Sequence, residues 1–81
     1  MINVQFYGVL QEIAGAREIS MPLSAPMPLS NVLLQLQAQL PDLSRHLPRL
    51  AYAVDDRIVS RNHVIQPGST LALLPPVSGG Q

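Results

Sequence analysis

The chain has no cysteine and no lysine among its 81 residues, and only 12% of them are charged. Without thiols it can form neither a disulfide framework nor a thiolate metal site, so a small domain of this kind depends on packing and suits a reducing compartment. Five arginines, Arg17, Arg45, Arg49, Arg57 and Arg61, are matched by five acids, Glu12, Glu18, Asp42, Asp55 and Asp56, for a formal net charge of zero. No long-range field therefore draws the chain to phosphate backbones or anionic lipid, and neither nucleic acid nor a membrane is expected as a partner. No apolar run approaches the roughly 20 residues that span a bilayer. The start, Met1-Ile2-Asn3-Val4-Gln5-Phe6, lacks the charged opening and continuous apolar stretch of a secretory signal, and a cytoplasmic location is expected. His46 and His63 have no ligand-spaced companion, so no metal site is expected. No Ser-His-Asp arrangement or phosphate-cradling glycine loop is evident, which argues against an enzyme in its own right.

The length allows one domain, in which only roughly 60% of the unfolded chain's surface is buried on folding, with little room for a deep pocket. Ile2, Val4 and Phe6 alternate with Asn3, Gln5 and Tyr7, the period of a half-buried strand. Gly8 and Gly15 bracket a stretch too short for a stable helix alone, read as a loop or single turn. A second strand is expected over 17–21, in a hairpin with the first. Pro22, Pro26 and Pro28 then forbid regular pairing and predict a loop. Ser30 is placed to cap a helix over about 31 to 40, whose Val32, Leu33, Leu36 and Leu40 form one apolar stripe and which Pro41 ends. Residues 42–49 lack periodicity and predict an irregular connection with a turn of helix. Asp55-Asp56 lies between two apolar runs and reads as the turn of a second hairpin rather than as paired catalytic carboxylates. Pro67-Gly68 precedes Thr70-Leu71-Ala72-Leu73-Leu74, an apolar run that suits a central strand buried on both faces. The order of elements implies a two-layer α+β roll, a mixed sheet of four to five strands packed on one main helix over residues 1–76.

Beyond Pro75-Pro76 come Val77-Ser78-Gly79-Gly80-Gln81, with almost nothing to add to a core. Two prolines favour an extended exit and two glycines carry no Cβ, which predicts a thin, movable arm over 77–81. Fully extended, the four residues from 77 to 80 reach roughly 13 Å. A carboxylate with no side chain beside it can be adenylated and attacked by a sulfur or nitrogen nucleophile inside a channel too narrow for a Cβ. The same composition also suits an end with no task.

The pieces Ile2-Asn3-Val4-Gln5-Phe6-Tyr7, Leu10 through Gly15, Ala53-Val54-Asp55 and, most specifically, Leu73-Leu74-Pro75-Pro76-Val77-Ser78-Gly79-Gly80 resemble the small subunit of molybdopterin synthase. That protein belongs to the ubiquitin-like β-grasp sulfur carriers, which include the thiamine sulfur carrier. The resemblance implies a non-catalytic subunit that binds no cofactor itself. An activating enzyme would use ATP to adenylate Gly80, and a sulfur donor would convert it to a thiocarboxylate. Val77, Ser78 and Gly79 would thread into the large subunit of a heterotetramer, where sulfur passes to cyclic pyranopterin monophosphate and forms the molybdopterin dithiolene. Phe6, Leu74, Pro75, Pro76 and Val77 are expected to form an apolar contact for that partner.

Two departures stand out. Gln81 follows Gly80 and ties its carboxylate into a peptide bond, so removal of Gln81 is expected before activation. Gln11 stands where the family commonly has arginine, which weakens a charged contact there. Thiamine or another sulfur metabolite remains an alternative pathway, and a protein modifier or an interaction module with an idle tail remain alternatives of another kind. A modifier without lysine could not build chains through a lysine of its own.

Overall fold

A computed structural model of the chain describes residues 1–76; the expectations for Val77, Ser78, Gly79, Gly80 and Gln81, including the movable arm, lie outside the described residues. Seven strands and two α-helices follow in the order β1 (Ile2–Phe6), α1 (Val9–Ala14), β2 (Glu18–Met21), β3 (Met27–Pro28), α2 (Leu29–Gln39), β4 (Ala51–Val54), β5 (Arg57–Val59), β6 (Val64–Ile65) and β7 (Thr70–Leu74). Two 3-10 turns, Pro41–Arg45 and Leu47–Arg49, join α2 to β4 and form the irregular connection expected there.

The main sheet has the order β2-β1-β7-β4-β5. The apolar run of β7 is therefore its central strand, parallel to β1 and antiparallel to β4. Strands β1 and β2 pair antiparallel, joined through α1. Only one face of β7 is deeply buried: Leu71 and Leu73 are fully enclosed, whereas Thr70, Ala72 and Leu74 are half-buried. The expectation of burial on both faces fails because the main helix covers a single side. Leu29, Val32, Leu33 and Leu36 of α2 pack there with Ile2, Val4 and Phe6 of β1, Tyr52 and Val54 of β4, and Leu43 and Leu47 of the 3-10 turns. This is the β-grasp arrangement of a sheet closed around one helix.

Ser30 does not cap α2. The helix begins at Leu29 and has no side-chain cap. Its first amides are satisfied by a neighbouring loop instead, Leu29 N–H donating to the His63 carbonyl at 2.8 Å and Ser30 N–H to that of Arg61 at 3.0 Å. The loop is brought there by β6, which pairs with the two-residue β3 inside the proline-rich segment. The segment between Gly8 and Gly15 is a short helix, α1, anchored by the buried Leu10 and closed by Gly15, whose N–H donates to the Gln11 carbonyl at 2.9 Å. Asp55 and Asp56 have φ of 48° and 71°, the left-handed pair of a two-residue hairpin turn. The Asp55 carboxylate accepts the Thr70 N–H at 3.0 Å, and Asp55 N–H donates to the Thr70 carbonyl at 3.0 Å, so the turn also fixes the start of β7.

Candidate functional site: the open sheet face and the root of the tail

Because β7 runs through the middle of the sheet, its last residue delivers the chain to one end of the domain. Leu74 and Pro75 are half-buried there and Pro76 is exposed. Gly8 shapes this exit. Its φ of +60° is rarely adopted by L side chains, and a Cβ would lie 3.2 Å from Cγ of Pro75. The absence of a side chain at 8 thus lets Pro75 pack against the β1–α1 corner. A groove of about 330 Å³ follows, lined by Gly8, Val9, His46, Arg49, Leu50, Pro75 and Pro76.

Phe6 is not part of an exposed patch. It is 1% exposed and lies opposite Leu73 in the parallel pair. The alternation of β1 puts Phe6 on the helix-covered face with Ile2 and Val4, so its role is packing. The next residue, Tyr7, lies out in solvent with its hydroxyl donating to Gln5 Oε1 at 3.2 Å. Gln11, where a charged contact was in doubt, donates from Nε2 to the Phe6 carbonyl at 3.1 Å and ties α1 to the end of β1.

The uncovered face of the sheet can be read from the register. One row crosses it from Glu18 through Gln5, Ala72 and Ala53 to Ile58, and a neighbouring row places Ala51 opposite Leu74. Alanines in the middle leave a shallow surface, hollowed at one end to about 300 Å³ between Gln5, Ala53, Asp55, Asp56, Thr70 and Ala72. Ile58, 68% exposed on the edge strand, is a large apolar side chain with nothing over it. Tyr7 and Ile58 are large exposed side chains that the sequence pattern alone does not single out. The outward phase of β1 continues to Tyr7, but Ile58 needs the β4–β5 register.

His46 sits in the tail-root groove and His63 on the β6 side; among the described residues no group of three His, Cys, Asp or Glu could hold a metal. Among the same residues every buried side-chain nitrogen or oxygen has a hydrogen-bond partner.

A model of the ThiS family matches residues 4–80. The chain belongs to the ThiS family. This family consists of small ubiquitin-like sulfur carriers, generally non-catalytic subunits. Solved structures agree in fold. SAMP1 from Haloferax volcanii is 24% identical with a TM-score of 0.85, covering 98% of each chain. Urm1 from Trypanosoma brucei is 20% identical with a TM-score of 0.75, covering 98% of this chain and 94% of that one. A protein–protein complex of subunits 1 and 2 of molybdopterin-converting factor from Helicobacter pylori matches at 24% identity and a TM-score of 0.70, covering 98% of this chain and 97% of that one. The ThiS match runs through Gly79 to Gly80 and stops short of Gln81.

Proposed function

We propose that this ThiS-family chain is the small, sulfur-carrying subunit of a molybdopterin synthase. Gly80, freed of Gln81, is adenylated by an activating enzyme with ATP, and sulfur from a donor displaces AMP to leave a thiocarboxylate. Val77, Ser78 and Gly79 thread this end into the large subunit, where sulfur is transferred to cyclic pyranopterin monophosphate. Leu74, Pro75 and Pro76 meet the partner at the root, and the uncovered sheet face with Tyr7 and Ile58 continues the contact. An aromatic and an aliphatic anchor around a flat, small-residue centre suit a protein interface better than a small-molecule site. The carrier part of the reading is supported by the family match, which spans residues 4–80 and so includes both glycines. The Pro75-Pro76-Val77-Ser78-Gly79-Gly80 string favours the molybdopterin pathway over thiamine, and the subunit 1–2 complex of the Helicobacter pylori factor supports a large-subunit partner.

Reconstitution tests it. The Gly80-terminated chain, incubated with an activating enzyme, ATP and a sulfur donor, should gain the mass of one oxygen-to-sulfur exchange, and the Gln81-bearing chain should not. A thiocarboxylate on a chain still carrying Gln81 would refute trimming. Deleting residues 79–81 should leave the fold intact and abolish sulfur transfer. Recovery of covalent adducts in a denaturing pull-down would favour a protein modifier instead.

A further inference from the structure

Between Glu18 and Asp42 the chain has no charged side chain and no histidine; all five arginines and all five acids lie outside residues 19–41. This stretch includes α2, on the side of the domain opposite the uncovered sheet face. Val32, Leu33 and Leu36 of the helix are buried, while Ser30, Asn31, Leu34, Gln35, Ala38 and Gln39 are exposed. The solvent side of a surface helix ordinarily carries charges. Here it carries neutral polar groups and, near its middle, Leu34, a large apolar side chain that is 64% exposed.

Beside Leu34 lies a groove of about 210 Å³ between Leu33, Leu34 and Leu47, which Ser30, Gln37 and Arg61 also line. An apolar knob and an apolar hollow on one patch suit a two-fold interface, in which each copy presents the same surface to the other. Depletion of charge is also the composition found at the centre of protein interfaces. We propose that α2 is the docking surface for a second copy of this chain, the two helices crossing near Leu34 so that each Leu34 enters the other copy's groove. This surface is separate from the tail root and the open sheet face, and it stands independently of the carrier reading.

Residues beside a two-fold axis face their own copies, so a charge there would meet a like charge. Serine, asparagine and glutamine instead carry donors and acceptors together and are self-complementary. Positions three and four residues from Leu34 share its side of the helix, so an antiparallel crossing brings Ser30 and Asn31 of one copy against Gln37 of the other. Arg61 is the one charged side chain that lines the groove among the described residues. Its Nη2 donates to the Leu47 carbonyl at 3.1 Å and to the Tyr52 hydroxyl at 3.3 Å, which fixes the guanidinium beside Leu47 rather than on the helix. A group off the axis has its mate on the opposite side, so the two guanidinium groups do not meet, and their remaining N–H groups are free to donate to the Gln37 amide of the other copy. A helix of 11 residues is about 16 Å long. A contact of that length buries less than the roughly 1,200 Å² of stable interfaces, so the dimer should be weak and reversible, with a Kd on the order of 100 µM.

Sedimentation velocity and amide NMR spectra of the full chain, over concentrations on the order of 10 µM to 1 mM, test this. The weight-average mass should climb from one chain toward two. Amide shifts that move with concentration should cluster on residues 30–38 and Arg61, and not on Gln5, Ala53, Ile58 and Ala72 of the open face. Leu34→Gln should keep the parent's far-ultraviolet circular dichroism and weaken association at least about tenfold. Leu34→Met, which preserves an apolar knob, should retain most of it. Gln37→Lys, which sets a positive charge against the other copy's Arg61, should weaken association less at high salt than at low salt. Ile58→Gln should leave it unchanged. A chain that stays monomeric at the top of the range would overturn the proposal and leave this face to a different partner. So would concentration-dependent shifts confined to the open face, or a folded Leu34→Gln chain that dimerises as the parent does. A failure of enzymatic adenylation would instead overturn the carrier reading and leave these outcomes standing.

Discussion

The two faces of the central strands share a backbone and differ in every other respect. On the side facing α2, Val4, Phe6, Leu71 and Leu73 are at most 1% exposed. One residue along each strand, on the other side, lie Gln5, Ala72 and Leu74, none of them fully covered. Adjacent residues of one strand therefore have separate roles: the covered side holds the fold together, and the uncovered side is left small and accessible. Stability and partner recognition should then be separable by single substitutions a residue apart.

The sharpest break of that comparison is Leu73→Ala against Leu74→Ala. Leu73 is enclosed on the central strand, so its truncation should cost about 2–5 kcal/mol through lost burial and an unfilled cavity. Leu74, half-buried on the open side, should cost less than about 1 kcal/mol. Urea unfolding midpoints measure both, and equal losses would mean that the two faces are not distinct in energy.

Ile58→Asp inverts the comparison. The side chain is 68% exposed, so stability should stay within about 0.5 kcal/mol of the parent. Affinity for a molybdopterin synthase large subunit, measured by isothermal titration, should fall by about 2 kcal/mol or more if the open face is the docking side. Unchanged affinity would move the contact away from Ile58.

Much of this division was legible in the amino-acid pattern. The alternation of residues 2–7 and the run of residues 70–74 marked β1 and β7 as strands, and Asp55-Asp56 marked a hairpin turn. What was missed depends on contacts distant in sequence. Ser30 carries a local cap signal, yet the carbonyls of Arg61 and His63 supply the first turn of α2, and no neighbour of Ser30 in the chain reveals them. Helix α1 is too short to stand alone and exists because Leu10 is buried and Gly15 closes it. Phe6 is expected at the partner contact because it lies close to the tail's root in the fold the resemblance implies, yet it is buried. The strand's own period had already put it with Val4 in the core. Gly79, Gly80 and Gln81 lie outside the described residues, and the proposal of a reactive end there rests on the amino-acid sequence.

A smaller effect is expected at the junction of the two faces. Gly8→Ala forces a Cβ into φ of +60° and to within 3.2 Å of Pro75 Cγ. A cost of about 1–2 kcal/mol in stability is expected from the backbone strain. If the chain carries sulfur as proposed, the same change should lower the sulfur-transfer rate beyond what the stability loss explains, because Gly8 and Pro75 pack together just past the end of β7. A rate that falls only in step with the folded fraction would show that the exit does not depend on this corner.

The smallest effect should come from a charged pair that belongs to neither face. Arg45 Nη2 lies 3.9 Å from Asp42 Oδ1, with the two side chains 73% and 78% exposed. At such exposure solvent screens most of the attraction, and ordering two side chains offsets the remainder, so Arg45→Ala should shift the unfolding midpoint by no more than about 0.5 kcal/mol. Partner affinity should be equally indifferent if recognition is confined to the open face and the tail root. A clear loss of affinity with stability preserved would extend the docking surface around the 3-10 turns, towards the groove that holds His46 and Arg49, and would make the separation of roles one of regions rather than of faces.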